Sequence, residues 1–131
     1  PNVSTSIFGS ADPLAEYLVS LANTERIGDL EALPSHEYRF RGLAERVTAL
    51  LGHHETRLDE ITAAVHAHPE STPWEITRSV TWSRPFSDLS EGLAYMALRE
   101  TNAHLIVLGE RGVLTSTPGP PVRWSPAVAP N

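Results

Sequence analysis

One long apolar stripe constrains this chain more than anything else in it. From about Gly42 to Ala67, the residues Leu43, Val47, Leu50, His54, Leu58, Ile61 and Val65 recur at steps of three and four. That spacing places all of them on one face of an α-helix. Glu45, Arg46, Glu55, Asp59 and Glu60 fall mostly off the stripe, and Pro69 ends it. A helix of this length gains its stability by burying the stripe, so the rest of the chain must supply elements that cover it. His54 is the one interruption, and a packed, hydrogen-bonded imidazole is the expected state for it.

The flanking segments read as short helices with few strands. Asp12 can cap a helix that has Pro13 at its first position. Leu14, Leu18 and Leu21 then repeat at helical spacing through Asn23, and Gly28-Asp29 breaks the pattern. Leu30 to Leu33 reads as a short strand, followed by a loop that carries Pro34-Ser35-His36. Residues 1–40 hold too few strands for a sheet, so they are expected to close an α/β layer whose main body lies elsewhere.

Beyond Pro69, Thr72-Pro73-Trp74-Glu75 forms a capping box with Pro at the first helical position. Its helix is expected to run to about Trp82, with Arg84-Pro85-Phe86 as the break. A further helix starts near Leu89-Ser90 and carries Leu93, Met96, Ala97, Thr101, His104, Leu105 and Leu108. Gly109 or Gly112 is its expected stop. Val113–Thr115 and Val122–Trp124 can pair as a hairpin around Pro118-Gly119-Pro120. Helix, helix, helix, hairpin is the order of a winged-helix module. The last residues, Ser125 to Asn131, are expected to fray.

Composition narrows the function. The 131 residues include no Cys, so a thiolate nucleophile, a thiolate metal site and a disulfide framework are excluded within them. The net charge is −6 and all ten basic residues are Arg. An acidic chain gains little from neutralising phosphates, so nucleic acid is disfavoured as a partner. The start of the second helix of the helix–turn–helix, with Asp88, Glu91, Gly92 and Tyr95, is also poor groove chemistry. No apolar run reaches the roughly 20 residues of a membrane span, and Asn2–Phe8 does not read as a signal peptide. A bacterial, cytoplasmic protein is the expectation.

Leu33-Pro34-Ser35-His36 resembles the Leu-Pro-Gly-His signature late in metallo-β-lactamase-fold hydrolases. Pro1-Asn2-Val3-Ser4 and Asp12-Pro13-Leu14 with Tyr17-Leu18 precede it in the order of that domain's last part. His53-His54-Glu55 with Arg57 and Ile61 is similar to the linking helix of one subgroup. Trp74-Glu75-Ile76, Trp82, Leu89, Glu100-Thr101, His104-Leu105 and Gly112-Val113 are similar to that subgroup's small winged-helix domain. The subgroup contains relatives of glyoxalase II and a β-lactamase-like endoribonuclease. Ser35 and Glu37 depart from the pattern, standing where the family usually has Gly.

The resemblance implies a mainly helical α+β chain in three parts. Residues 1–40 end the metallo-β-lactamase αββα layer, 41–68 are the linking helix, and 69–131 are the winged-helix domain with its tail. It implies a parent protein that holds two zinc ions and hydrolyses an ester, thioester, amide or phosphodiester in a small-molecule substrate. His36 is then the last zinc ligand, the other ligands fall before residue 1, and the fragment alone is inactive. The partner is the missing N-terminal metallo-β-lactamase domain. Without it, Leu14, Leu18, Leu21 and Leu30–Leu33 are expected to associate with a second copy or fold back on the long helix. The alternative is a free-standing winged-helix interaction or regulatory module.

Other polar residues read as structural. His53 and His54 are adjacent and point about 100° apart on a helix, so they do not chelate one ion together. His66-Ala67-His68 sits at a helix end. Glu100 and His104, spaced i,i+4, suggest a structural hydrogen bond. Trp74, Trp82 and Phe86 are expected to form the small domain's core.

Overall fold

A computed structural model describes residues 3–6, 9–28 and 30–128. Pro1, Asn2, Ile7, Phe8, Asp29 and residues 129–131, with the readings that fall on them, lie outside the described residues. The chain is mainly helical, with four α-helices and one two-stranded sheet among those residues. Helix α1 spans Pro13–Glu25, α2 Leu43–Ala67, α3 Pro73–Ser79 and α4 Glu91–Glu110, with a 3-10 turn at Phe86–Asp88 before α4. Strands β1 (Leu114–Thr117) and β2 (Arg123–Pro126) pair antiparallel, with Leu114 opposite Pro126 and Thr117 opposite Arg123. No helix is long and apolar enough to cross a membrane among the described residues.

The helix starts follow local chemistry. Asp12 Oδ1 accepts from the Ala15 N–H at 2.9 Å, with Pro13 at the first position. Ser90 caps α4 through the Leu93 N–H. At α3 both halves of the capping box form: Thr72 Oγ1 accepts from the Glu75 N–H, and the Glu75 carboxylate accepts from the Thr72 N–H at 2.8 Å. The Thr72 N–H and the Thr72 hydroxyl, both donating to Glu75 Oε2, hold the Glu75 carboxyl below its usual range. Thr72→Ala is expected to lower stability by about 1 kcal/mol, measured as a shift in urea midpoint with unchanged m-value. A loss below about 0.3 kcal/mol would show that Pro73 and packing alone set this helix start.

The α2 stripe is the floor of the core. Val47, His54, Leu58, Ile61 and Val65 are buried on it, and Leu43 and Leu50 are half-buried. One apolar cluster joins Leu14 of α1, Leu58, Ile61 and Val65 of α2, Ile76 of α3, Leu105 and Leu108 of α4, and Leu114 of β1. Leu18 packs against its edge, so α1 folds back on the long helix.

Several boundaries differ from the sequence reading. Leu30–Leu33 is not a strand. Only Ala32 pairs, with Phe40, through bonds of 2.8 and 3.2 Å that close the intervening loop. With no neighbouring strand, Leu30 and Leu33 are exposed, at 58% and 80%. Helix α3 stops at Ser79 rather than Trp82, because Val80 turns extended. Gly112, with φ of 69°, ends α4, while Gly109 lies inside the helix under the Trp124 ring, which a Cβ would meet at 3.3 Å. Ser125 and Pro126, expected to fray, belong to β2. Trp82 packs on the core, but Trp74 is 43% exposed, edge-on to Phe86. Ile76 and Thr77 form the buried face of α3, and Trp74 at its start does not share it.

The hairpin is fastened to the α2–α3 turn. The Trp124 N–H donates to the Ser71 carbonyl at 2.9 Å. Arg123 Nη1 donates to the Glu70 carbonyl at 2.7 Å, and Ser125 Oγ donates to Glu70 Oε1 at 2.6 Å.

Candidate functional site

His36 lies on the loop closed by the Ala32–Phe40 pairing, and its side chain is exposed. The loop, the second half of α1 and the first turns of α2 enclose a groove of about 790 Å³. Leu21, Phe40, Leu43, Val47 and Leu50 give it an apolar wall; His36, Glu37 and Arg46 border it. Groups of three or more His, Cys, Asp or Glu able to hold a metal are absent among the described residues. His36 therefore fits one ligand position, and the described residues offer no complete ligand set around it.

The residue after His36 is strained. Glu37 has φ of 70°, in the left-handed region, where a side chain costs roughly 1–2 kcal/mol. Of the two positions where Gly is expected by resemblance, the positive φ falls on Glu37 and not on Ser35. Glu70 has a similar φ of 62°, but Ser125 and Arg123 hold it in place. Glu37 has no such bond among the described residues. Glu37→Gly is expected to raise stability by a few tenths to about 1 kcal/mol, the relief exceeding Gly's extra unfolded-state entropy. Glu70→Gly should instead destabilise, through the lost Ser125 bond. Equal effects of the two in thermal denaturation would refute this account.

A second polar centre is buried between α2 and α4. His54 Nδ1 and His104 Nε2 lie 3.2 Å apart, with the rings stacked at 5.4 Å between centroids. His104 Nδ1 lies 2.8 Å from the Glu100 carbonyl. A carbonyl only accepts, so His104 Nδ1 carries the proton. His104 Nε2 is then the acceptor for the His54 Nδ1–H. This leaves a lone pair on His54 Nε2, which is buried without a hydrogen-bond partner among the described residues. The Tyr17 ring meets His54 edge-on at 5.6 Å. Burial pushes both imidazoles down to about 4, and at His54 the neighbouring His104 and His53 lower it further.

The expected Glu100–His104 contact is present, but through the Glu100 backbone rather than its carboxylate. Burial raises the Glu100 carboxyl, opposed by Arg57. Arg57, to which the sequence reading assigns no role of its own, is buried. It donates to Glu60 Oε2 at 2.7 Å and to the Thr81 carbonyl, and lies 4.6 Å over the Trp82 ring. Its i,i+3 spacing to Glu60 is the one local signal of this. His53, His66 and His68 are exposed.

Comparison with known proteins gives neighbours among solved structures only. No family model matches the chain, and no curated protein does. A beta-lactamase domain protein from Burkholderia ambifaria superposes with a TM-score of 0.85 at 33% identity over 96% of this chain. A metallo-beta-lactamase family protein from Thermus thermophilus superposes with a TM-score of 0.76 at 26% identity, also over 96%. The chain spans 37% of the length of each. Nearly all of the chain is thus similar to the C-terminal part of metallo-β-lactamase domain proteins.

Proposed function

We propose that the chain is the C-terminal part of a zinc-dependent hydrolase of the metallo-β-lactamase fold. The observation that carries this is likeness to the Burkholderia protein over 96% of the chain at 33% identity. Residues 1–40 finish the catalytic layer and supply His36 as a zinc ligand. Residues 41–68 link it to residues 69–131, whose α3, α4 and hairpin make up a winged-helix domain. Bound zinc would supply a hydroxide near neutral pH and polarise the scissile group of an ester, thioester, amide or phosphodiester. The chain's own share is to hold one imidazole on a closed loop and to wall the groove beside it. The remaining ligands belong to the N-terminal domain, so these residues alone are inactive.

The test is metal analysis and hydrolysis assays on the full-length protein beside the 131-residue chain. Zinc-dependent turnover is expected in the first and none in the second. Turnover by the short chain, or a full-length protein without zinc or hydrolysis, would overturn the reading.

A further inference from the structure

Between the loop that follows α3 and the first turns of α4 lies a cavity of about 240 Å³. Trp82, Leu89, Leu93 and Met96 give it an apolar wall, and two opposite charges border it, Glu100 on α4 and Arg84 on the loop. The two do not pair with each other. Among the described residues neither the Glu100 carboxylate nor the Arg84 guanidinium makes a hydrogen bond or ion pair, whereas Arg57 and Arg111 both pair with carboxylates. Arg57, which acts on Glu100 through space, is committed to Glu60 and the Thr81 carbonyl and lies over the Trp82 ring. The Trp82 indole N–H donates to the Thr77 carbonyl at 2.8 Å, so this wall is fixed before anything binds. The cavity shares no lining residue with the groove beside His36.

Each simple ligand leaves one of these groups unanswered. A neutral apolar molecule strips water from the half-buried Glu100 side chain and offers it no partner. An amine answers Glu100 but sets a net cation near Arg84 and Arg57, and a carboxylate answers Arg84 but meets Glu100. A molecule carrying both charges answers both. The cavity is smaller than the roughly 300–1,000 Å³ of drug-sized sites, so the occupant is small. Leu93 and Met96 are 45% and 43% exposed and gain from being covered. A molecule with its charges at opposite ends of a bare chain covers them poorly. An α-amino acid groups both charges at one end and leaves its side chain for the apolar wall.

We propose that this cavity binds a free α-amino acid with an aliphatic side chain, its ammonium on Glu100, its carboxylate on Arg84 and its side chain against Trp82, Leu93 and Met96. The ammonium donates to the Glu100 carboxylate, and the amino acid's carboxylate accepts from the planar guanidinium, so both contacts are charge-assisted hydrogen bonds. The site uses neither zinc nor His36, so it goes beyond the hydrolase reading and does not rest on it.

The test is calorimetric titration of the 131-residue chain at neutral pH with L-leucine. Isoamylamine, isocaproate and glycine serve beside it, lacking in turn the carboxylate, the ammonium and the side chain. Leucine is expected to saturate one site, and each of the other three to bind at least about tenfold more weakly. Glu100→Gln and Arg84→Gln should each weaken leucine by a similar factor, and Arg84→Lys should restore part of the loss. Arg84 is exposed on a loop, so its variants keep the fold and test the site even where Glu100→Gln disturbs packing. No saturable binding of leucine, equal binding of the amine, the acid or glycine, or an unaffected Arg84→Gln variant would overturn the inference.

Discussion

In the full-length protein, His36→Ala is expected to cut kcat/KM by more than about 100-fold and to lower the bound zinc. The magnitude follows from the proposed ligand role: outer partners of metal ligands already cost about 10- to 100-fold, and losing a ligand itself exceeds that. The fold should be unaffected. His36 is exposed and makes no hydrogen bond among the described residues. Its removal should therefore shift stability by no more than about 0.5 kcal/mol. The experiment compares kcat/KM and zinc content at constant thermal midpoint. Loss of activity with a collapsed midpoint would point to a structural role. Unchanged activity and zinc content would remove His36 from the metal site.

Acid should destabilise the 131-residue chain well before most carboxylates titrate. His54 and His104 titrate at about 4 in the folded protein and near the ordinary value of about 6.5 when unfolded. Between those values the unfolded state binds more protons, so stability falls as pH falls. The full contribution is present above about pH 6.5 and is lost by about pH 4. A displacement of this size corresponds to roughly 3 kcal/mol for one imidazole. The second adds less than the same again, because the two rings are coupled. Glu100 acts in the opposite sense: its raised carboxyl takes up a proton more readily when folded and recovers part of the loss. Urea midpoints measured between neutral pH and about pH 4 give the net effect. Replacing both histidines, His54→Leu with His104→Leu, removes the pair together and should flatten the profile over that window. An equally steep profile in the double variant would refute the assignment.

The parts of the fold legible in the sequence are those set by neighbours in the chain. Asp12, Thr72 and Ser90 cap helices through atoms three residues away, and the α2 stripe repeats within one element. The short hairpin is legible for the same reason. Leu30–Leu33 misleads because an apolar run becomes a strand only when a second strand lies beside it, and here Ala32 alone finds a partner. The His54–His104 pair is invisible for a related reason: 50 residues separate the rings, and no periodicity links α2 to α4. For Glu100 and His104 the spacing identifies the residues but not the acceptor, since a backbone carbonyl competes with the carboxylate on equal terms in a helix. At the candidate site, the placement of His36 on a loop is legible from the residues around it, and the positive φ of Glu37 is not. Nothing in a glutamate signals a left-handed backbone.

Leu14 touches the same apolar cluster as Ile76 and Leu105, so the proposed boundary at residue 40 does not divide the folded body. An engineer wishing to exchange part of this chain with a relative's should not cut there. Severing the chain at residue 40 leaves a hole where Leu14 sat, of the kind that costs about 2–5 kcal/mol for a single buried leucine. A junction ahead of Asp12 keeps α1 with the core that it fills, so crossovers placed there should give far more folded chimaeras.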